Sequence, residues 1–130
     1  MVVDASAVVA IALNEPEAGR LATAIFGSAR RLIAMPTLLE ITLVVGGRTG
    51  SAGRDVLARL IASLGLTAVA FDAGHLALAE AAWWQFGKGR HAARLNFGDC
   101  FSYALAKIEN EPLLFKGDDF GLTDIRPAPY

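Results

Sequence analysis

Apolar and polar positions change period several times along the chain, and those changes mark out its elements. A short apolar run, Met1-Val2-Val3, stops at Asp4-Ala5-Ser6. Where strands alternate with helices, such a run is a buried parallel strand that carries its first polar residue to the carboxyl edge of the sheet, where ligands bind. Apolar residues continue from Ala7 to Leu13, and Asn14-Glu15-Pro16-Glu17 then reads as a helix start, with Asn14 as cap and Pro16 in the first turn. That helix is expected over about 17–27, and Arg30 to Pro36 reads as a short strand closed by proline.

From Thr37 the text TLLEITLVVGGRTG has helical spacing with apolar residues on nearly every side, so this helix is expected to be well buried. Glu40 is its one charged residue before Arg48. A further helix over about 51–64 carries Leu57, Leu60, Ile61 and Leu64 on one face, and Gly65 is placed to end it. Leu66 to Phe71 alternates as a strand, and Asp72 caps an alanine-rich helix that runs to about Phe86. A basic, glycine-containing stretch, GKGRHAAR at 87–94, precedes a helix over about 98–108, a strand at Leu113-Leu114-Phe115, and a proline-containing end at 126–130 expected on the surface.

Strands alternating with helices imply a mainly parallel sheet with helices on both faces. The 130 residues fit one domain spanning 1–130. A content of 54% hydrophobic against 19% charged residues argues for a generous core and against disorder. The formal charge of −1 rules out a global basic field but leaves room for a local basic patch or for metal-mediated binding of a polyanion. One cysteine, Cys100, excludes an internal disulfide, and with only His75 and His91 beside it a soft-ligand zinc centre is not supported. No apolar run approaches the roughly 20 residues of a membrane span and no signal peptide is evident, so a cytoplasmic location is expected.

The element map sends several carboxylates to strand ends or onto buried helix faces: Asp4 after the first strand, Glu40 in the apolar helix, Asp99 at a helix start and Asp118 after the last strand. Strand ends of a parallel sheet share one edge, so these groups can converge. At an effective dielectric of about 20, two unit charges 4 Å apart repel by roughly 4 kcal/mol, which a cluster must relieve by taking up protons or a cation. All-oxygen donors select a hard ion, magnesium or manganese.

VVDASA around Asp4, the isolated Glu40 in TLLEI, LNFGDCFSYALAK around Asp99 and LLFKGDDF around Asp118 together resemble the acidic motifs of PIN-domain ribonucleases, specifically VapC toxins of type II toxin–antitoxin pairs. The resemblance spans essentially the whole chain. It implies a three-layer PIN-like α/β/α fold and a Mg2+-dependent endoribonuclease, with Mn2+ as the other candidate ion. The expected substrate is structured RNA (transfer or ribosomal), and a cognate VapB-type antitoxin holds the enzyme inactive. Carried over by position, Asp4, Glu40, Asp99 and Asp118 match the acidic quartet, with Asp4, Asp99 and Asp118 as metal ligands; Asp119 and Asp124 lie close enough to keep the fourth position open. Ser6 matches the small hydroxyl residue of the first motif. The reaction so implied is metal-assisted hydrolysis, with an activated water attacking the phosphodiester in line.

Grip on RNA is assigned to Ser6, Lys88, Arg90 and Arg94, with Trp83 or Trp84 as a stacking surface. The paired tryptophans and the apolar content suggest surface that needs cover, consistent with a homodimer and an antitoxin groove. Simpler roles compete: Asp4 as a helix cap, Asp99 as a helix N-terminal charge, Glu40 in a salt bridge, Asp118 or Asp119 capping a turn, and the basic run as a solvated loop. Rival functions are a PIN-like module that binds RNA or protein without cutting, and a small phosphatase. Phosphatases that form an aspartyl-phosphate usually carry a second aspartate two residues after the first, where this chain has Ser6.

Overall fold

A computed structural model describes residues 1–130. Strand β1 (Val2–Val3) leads into helix α1 (Ala5–Ala12) and helix α2 (Ala18–Gly27). Strand β2 (Leu32–Ala34) is followed by α3 (Met35–Thr49) and α4 (Gly53–Leu64), and β3 (Thr67–Val69) by α5 (Ala73–Phe86). Helix α6 (Phe97–Glu109), β4 (Leu113–Leu114) and a 3-10 turn (Phe120–Leu122) complete the order.

The four strands form one sheet in the order β3-β2-β1-β4, every pair parallel, with Val2 opposite Leu32 on one side and Leu113 on the other. Parallel strands must be covered on both faces, and successive side chains point to opposite faces, so short apolar runs suffice. Val2, Leu32, Ala34 and Leu113 enter one core with Ala82, Phe86, Tyr103, Leu105 and Ala106 of α5 and α6. Val3, Ile33 and Leu114 enter the other, packed against Val8, Leu21, Ile25, Ile41, Leu57 and Leu64 of α1 to α4. The result is the expected three-layer α/β/α arrangement.

Several local readings need correction. The apolar stretch after Ser6 is a helix, as the reading of Asp4 as a cap implies: the Ser6 N–H donates to Asp4 Oδ2 at 2.9 Å. Pro36 does not close β2 as a loop residue but sits in the first turn of α3, where its missing N–H costs nothing, so the chain passes from strand to helix without a linker. Helix α3 is not buried all round: Thr37, Ile41 and Val45 face the core, whereas Met35, Leu39 and Leu43, four residues apart, are 51%, 61% and 67% exposed. The end of the chain is not wholly superficial either. Leu113 bridges Pro127, Ala128 donates its N–H to the Leu113 carbonyl at 2.8 Å, and Ala128 is buried, so this segment covers the open edge of β4.

Ile33 on the central β2 is fully buried. Ile33→Ala is expected to lower the unfolding free energy by about 3 kcal/mol through the lost methylenes and the cavity left behind, measured by urea denaturation.

Candidate active site

The carboxyl edge of β1 is fixed by backbone first. The Asp4 N–H donates to the Leu114 carbonyl at 2.9 Å, which holds Asp4 beside the end of β4. Its side chain is then locked from one side: Oδ2 accepts from the Ser6 N–H and, at 2.6 Å, from the Ser6 hydroxyl. Ser6 Oγ in turn accepts from the Lys116 N–H at 2.9 Å, so one hydroxyl ties the end of β1 to the segment that follows β4.

Asp99 is placed by the start of α6. Asn96 caps the helix by accepting from the Asp99 N–H at 3.1 Å, and Asp99 Oδ2 accepts from the Asn96 N–H at 2.7 Å, a reciprocal capping box. Glu40 reaches the same region from α3 and lies against Gly98, so closely that a Cβ at position 98 would collide with both of its carboxylate oxygens. None of the ion pairs in the structure involves Glu40, so the simple salt-bridge reading is not what holds it.

Asp4, Ser6, Glu40, Asn96, Asp99, Lys116 and Asp119 line one pocket. Asp118 and Asp119 are both exposed, but after the turn at Gly117 (φ 107°) and before buried Phe120 only Asp119 lines the pocket. Asp124 is engaged elsewhere, accepting from the Tyr103 hydroxyl at 2.8 Å and pairing with Lys107 at 2.9 Å. Lys88, Arg90 and Arg94 are exposed on the loop just before Asn96 and do not line the pocket. Arg90 is stacked over Trp83 and Trp84, 4.4 and 4.0 Å from the ring centroids, and both tryptophans are exposed rather than core. His91 is a loop residue whose Nδ1 accepts the Ala93 N–H, and buried Cys100, its thiol pushed up to about 11 chiefly by burial, is a packing residue.

Like charges around a partly dry pocket shift their proton equilibria. Burial first, then the Asp4 and Asp99 charges, push the Glu40 carboxyl up to about 7. Burial raises Asp99 to about 6 against the opposing Asn96 N–H, and Asp4 and Asp119 add to the rise. Asp4 Oδ1 and Glu40 Oε2 are buried without a hydrogen-bond partner. Such orphaned acceptors, in a lining with no histidine or cysteine, fit a hard divalent cation. No three acidic, histidine or cysteine side chains are already gathered around a common point. The donor set therefore suits an ion without being closed around one.

Gly98, Asn96 and Lys116 join the site only in the folded chain. Asn96 with Asp99 three residues on is a capping-box pattern and was readable; the need for glycine at 98 depends on a side chain from another helix and was not.

The fold and this edge define a class, three-layer α/β/α domains with an acidic pocket at the carboxyl edge of a parallel sheet, and known proteins narrow it. The family model described as "PIN domain" matches residues 1–125. The chain is 46% identical to the Ribonuclease VapC30 of Mycobacterium tuberculosis over 125 residues, covering 96% of this chain and 95% of that protein. It is 44% identical to the Ribonuclease VapC of Mycolicibacterium smegmatis, covering 96% and 97%. A crystal structure of Mycobacterium tuberculosis VapC20, titled a "Sarcin-Ricin loop cleaving toxin", superposes with a TM-score of 0.71 at 21% identity over 97% of this chain and 98% of that one, a likeness of fold. This chain belongs to the PIN-domain family, in its VapC branch.

Two outcomes are expected from this geometry. Gly98→Ala should fold with little change in melting temperature yet lose on the order of 10²-fold in any activity that needs Glu40, because the added methyl displaces a flexible carboxylate rather than the core. Because Glu40 and Asp99 are raised in the folded protein, the stability they contribute is complete below the ordinary carboxylate range and is lost as pH rises through about 6 to 7. Thermal melts of chelator-treated protein should therefore fall between about pH 5 and pH 7.5, Glu40→Gln should flatten that fall, and added magnesium should restore more stability at the higher pH.

Proposed function

We propose that this chain is the toxin of a type II toxin–antitoxin pair, a divalent-metal-dependent endoribonuclease that hydrolyses phosphodiester bonds in structured RNA at the pocket between Asp4 and Asp99. The observation that carries this reading is the convergence of Asp4, Glu40, Asp99 and Asp119 on one pocket, with two buried acceptors left unpaired, in a chain 41–46% identical to VapC ribonucleases. Magnesium, or manganese in its place, would supply Lewis-acid polarisation of a phosphate oxygen and a nucleophile at neutral pH.

The chain's own residues have separable parts in this scheme. Asp4 and Asp99 would hold the ion, each with one oxygen fixed by a hydrogen bond inside the fold and the other available. Asp119 takes the fourth acidic position in place of Asp118. Glu40, raised to about 7 by burial and by the Asp4 and Asp99 charges, holds a carboxyl at the pocket wall that would face such an ion. No protein nucleophile is needed.

RNA is gripped outside the pocket by Lys88 and Arg94, which have no ion-pair partner, and by the Arg90 guanidinium presented on Trp83 and Trp84. Leu39, Leu43, Val44, Phe97 and Phe101 form an apolar groove that shares Glu40 and Asn96 with the acidic pocket. That continuity supports cover by a VapB-type antitoxin, and the exposed stripe on α3 supports a homodimer. No helix is long and apolar enough to cross a membrane, and we place the toxin in the cytoplasm, where its RNA is.

The test is to incubate antitoxin-free protein with total cellular RNA, with magnesium, with chelator, and as Asp99→Asn. Discrete fragments that require both magnesium and Asp99 are expected. Intact RNA from folded, metal-loaded protein would replace this reading with that of a non-cleaving binding module.

A further inference from the structure

Every side chain that carries charge in the pocket is acidic except one. Lys116 lines it beside Asp4, Asp99 and Glu40, yet its ammonium is turned away from them, 2.6 Å from Glu15 and 3.1 Å from Glu17 on the connection between α1 and α2. Its backbone N–H is already committed, through Ser6 Oγ, to the fixing of Asp4. The root of this side chain is thus tied to the site by hydrogen bonds while its tip is held by a surface ion pair.

We propose that Lys116 is the residue that grips the RNA backbone next to the bond being cut, and that Glu15 and Glu17 hold its ammonium in the free enzyme as stand-ins for a phosphate. This rests on the ribonuclease reading above and names the group that brings a polyanion into an acidic pocket.

Three features carry it. A phosphodiester approaching this cluster meets repulsion, and Lys116 is the only cation in the lining that can offset it. Its side chain is one-third exposed on a flexible four-carbon stem, so an exchange of partners needs no backbone motion. Two carboxylates facing one ammonium leave an excess of negative charge, and the Arg48 guanidinium, 3.9 Å from Glu15, remains to compensate Glu15 once Lys116 leaves. The alternative, a strut between the α1–α2 connection and β4, is weak on energetic grounds, because partly exposed ion pairs add little to stability.

The two roles differ in sign. Steady-state cleavage of total cellular RNA, followed by the main fragment at several RNA concentrations, is compared for wild type, Lys116→Gln, Lys116→Arg and the double variant Glu15→Gln/Glu17→Gln. Lys116→Gln is expected to raise KM about ten-fold with a smaller change in kcat, Lys116→Arg to restore most of the loss, and the double variant to lower KM. A parallel arm measures retention of end-labelled total cellular RNA by the Asp99→Asn protein at increasing salt, where Lys116→Gln should reduce the slope of log affinity against log salt by roughly 0.7. Unchanged KM and slope in Lys116→Gln, or a KM that rises in the double variant as it does in Lys116→Gln, would overturn the proposal. If wild type cuts no RNA, the ribonuclease reading falls, and the binding slope still decides for or against Lys116 as a phosphate contact.

Discussion

Mutual repulsion among carboxylates at one end of a parallel sheet is the constraint to which the rest of this structure answers. Asp4, Glu40, Asp99 and Asp119 come from four separate parts of the chain, and nothing in their own chemistry favours their meeting. They are held by elements anchored in two apolar cores and by hydrogen bonds that each use one oxygen of Asp4 and Asp99. Burial raises Glu40 and Asp99 first, and the neighbouring carboxylates add to the rise, so part of the charge is relieved by protons. If the pocket takes the proposed cation, stability and function are opposed here: the clustered carboxylates that would bind it cost stability without it.

The short hydrogen-bonded chain Asp4–Ser6–Lys116 shows how the fold meets that constraint. Ser6 does not line the pocket merely as a small residue; its hydroxyl donates to Asp4 and accepts from the Lys116 backbone, joining two neighbouring strand ends. Asp4 as a helix cap and Asp99 as half of a capping box are real local roles. They orient the same side chains that face the pocket, so capping and the proposed metal binding are compatible uses of one geometry.

Much of this was legible in the sequence because parallel strands and buried helix faces write long-lived apolar patterns. The order of elements, the Asp72 cap, the Gly65 helix end and the positions of Asp4, Glu40 and Asp99 all follow from local rules. What escaped depends on distant neighbours. The burial of α3 was overestimated because apolar content alone does not say that Leu39 and Leu43 face outward. Asp119 could not be separated from Asp118 without the turn at Gly117, and the requirement for glycine at 98 appears only when Glu40 is in place. The pairing of Ala128 with β4 had no signal in a proline-containing end.

Anomalous diffraction from crystals of the protein grown with manganese would decide whether this edge is a hard-cation site. A single strong anomalous peak inside the pocket, in contact with the free oxygens of Asp4 and Asp99 and lost in Asp99→Asn, is expected. Manganese absent from the pocket in a protein that still cuts RNA, or bound there equally in Asp99→Asn, would contradict it.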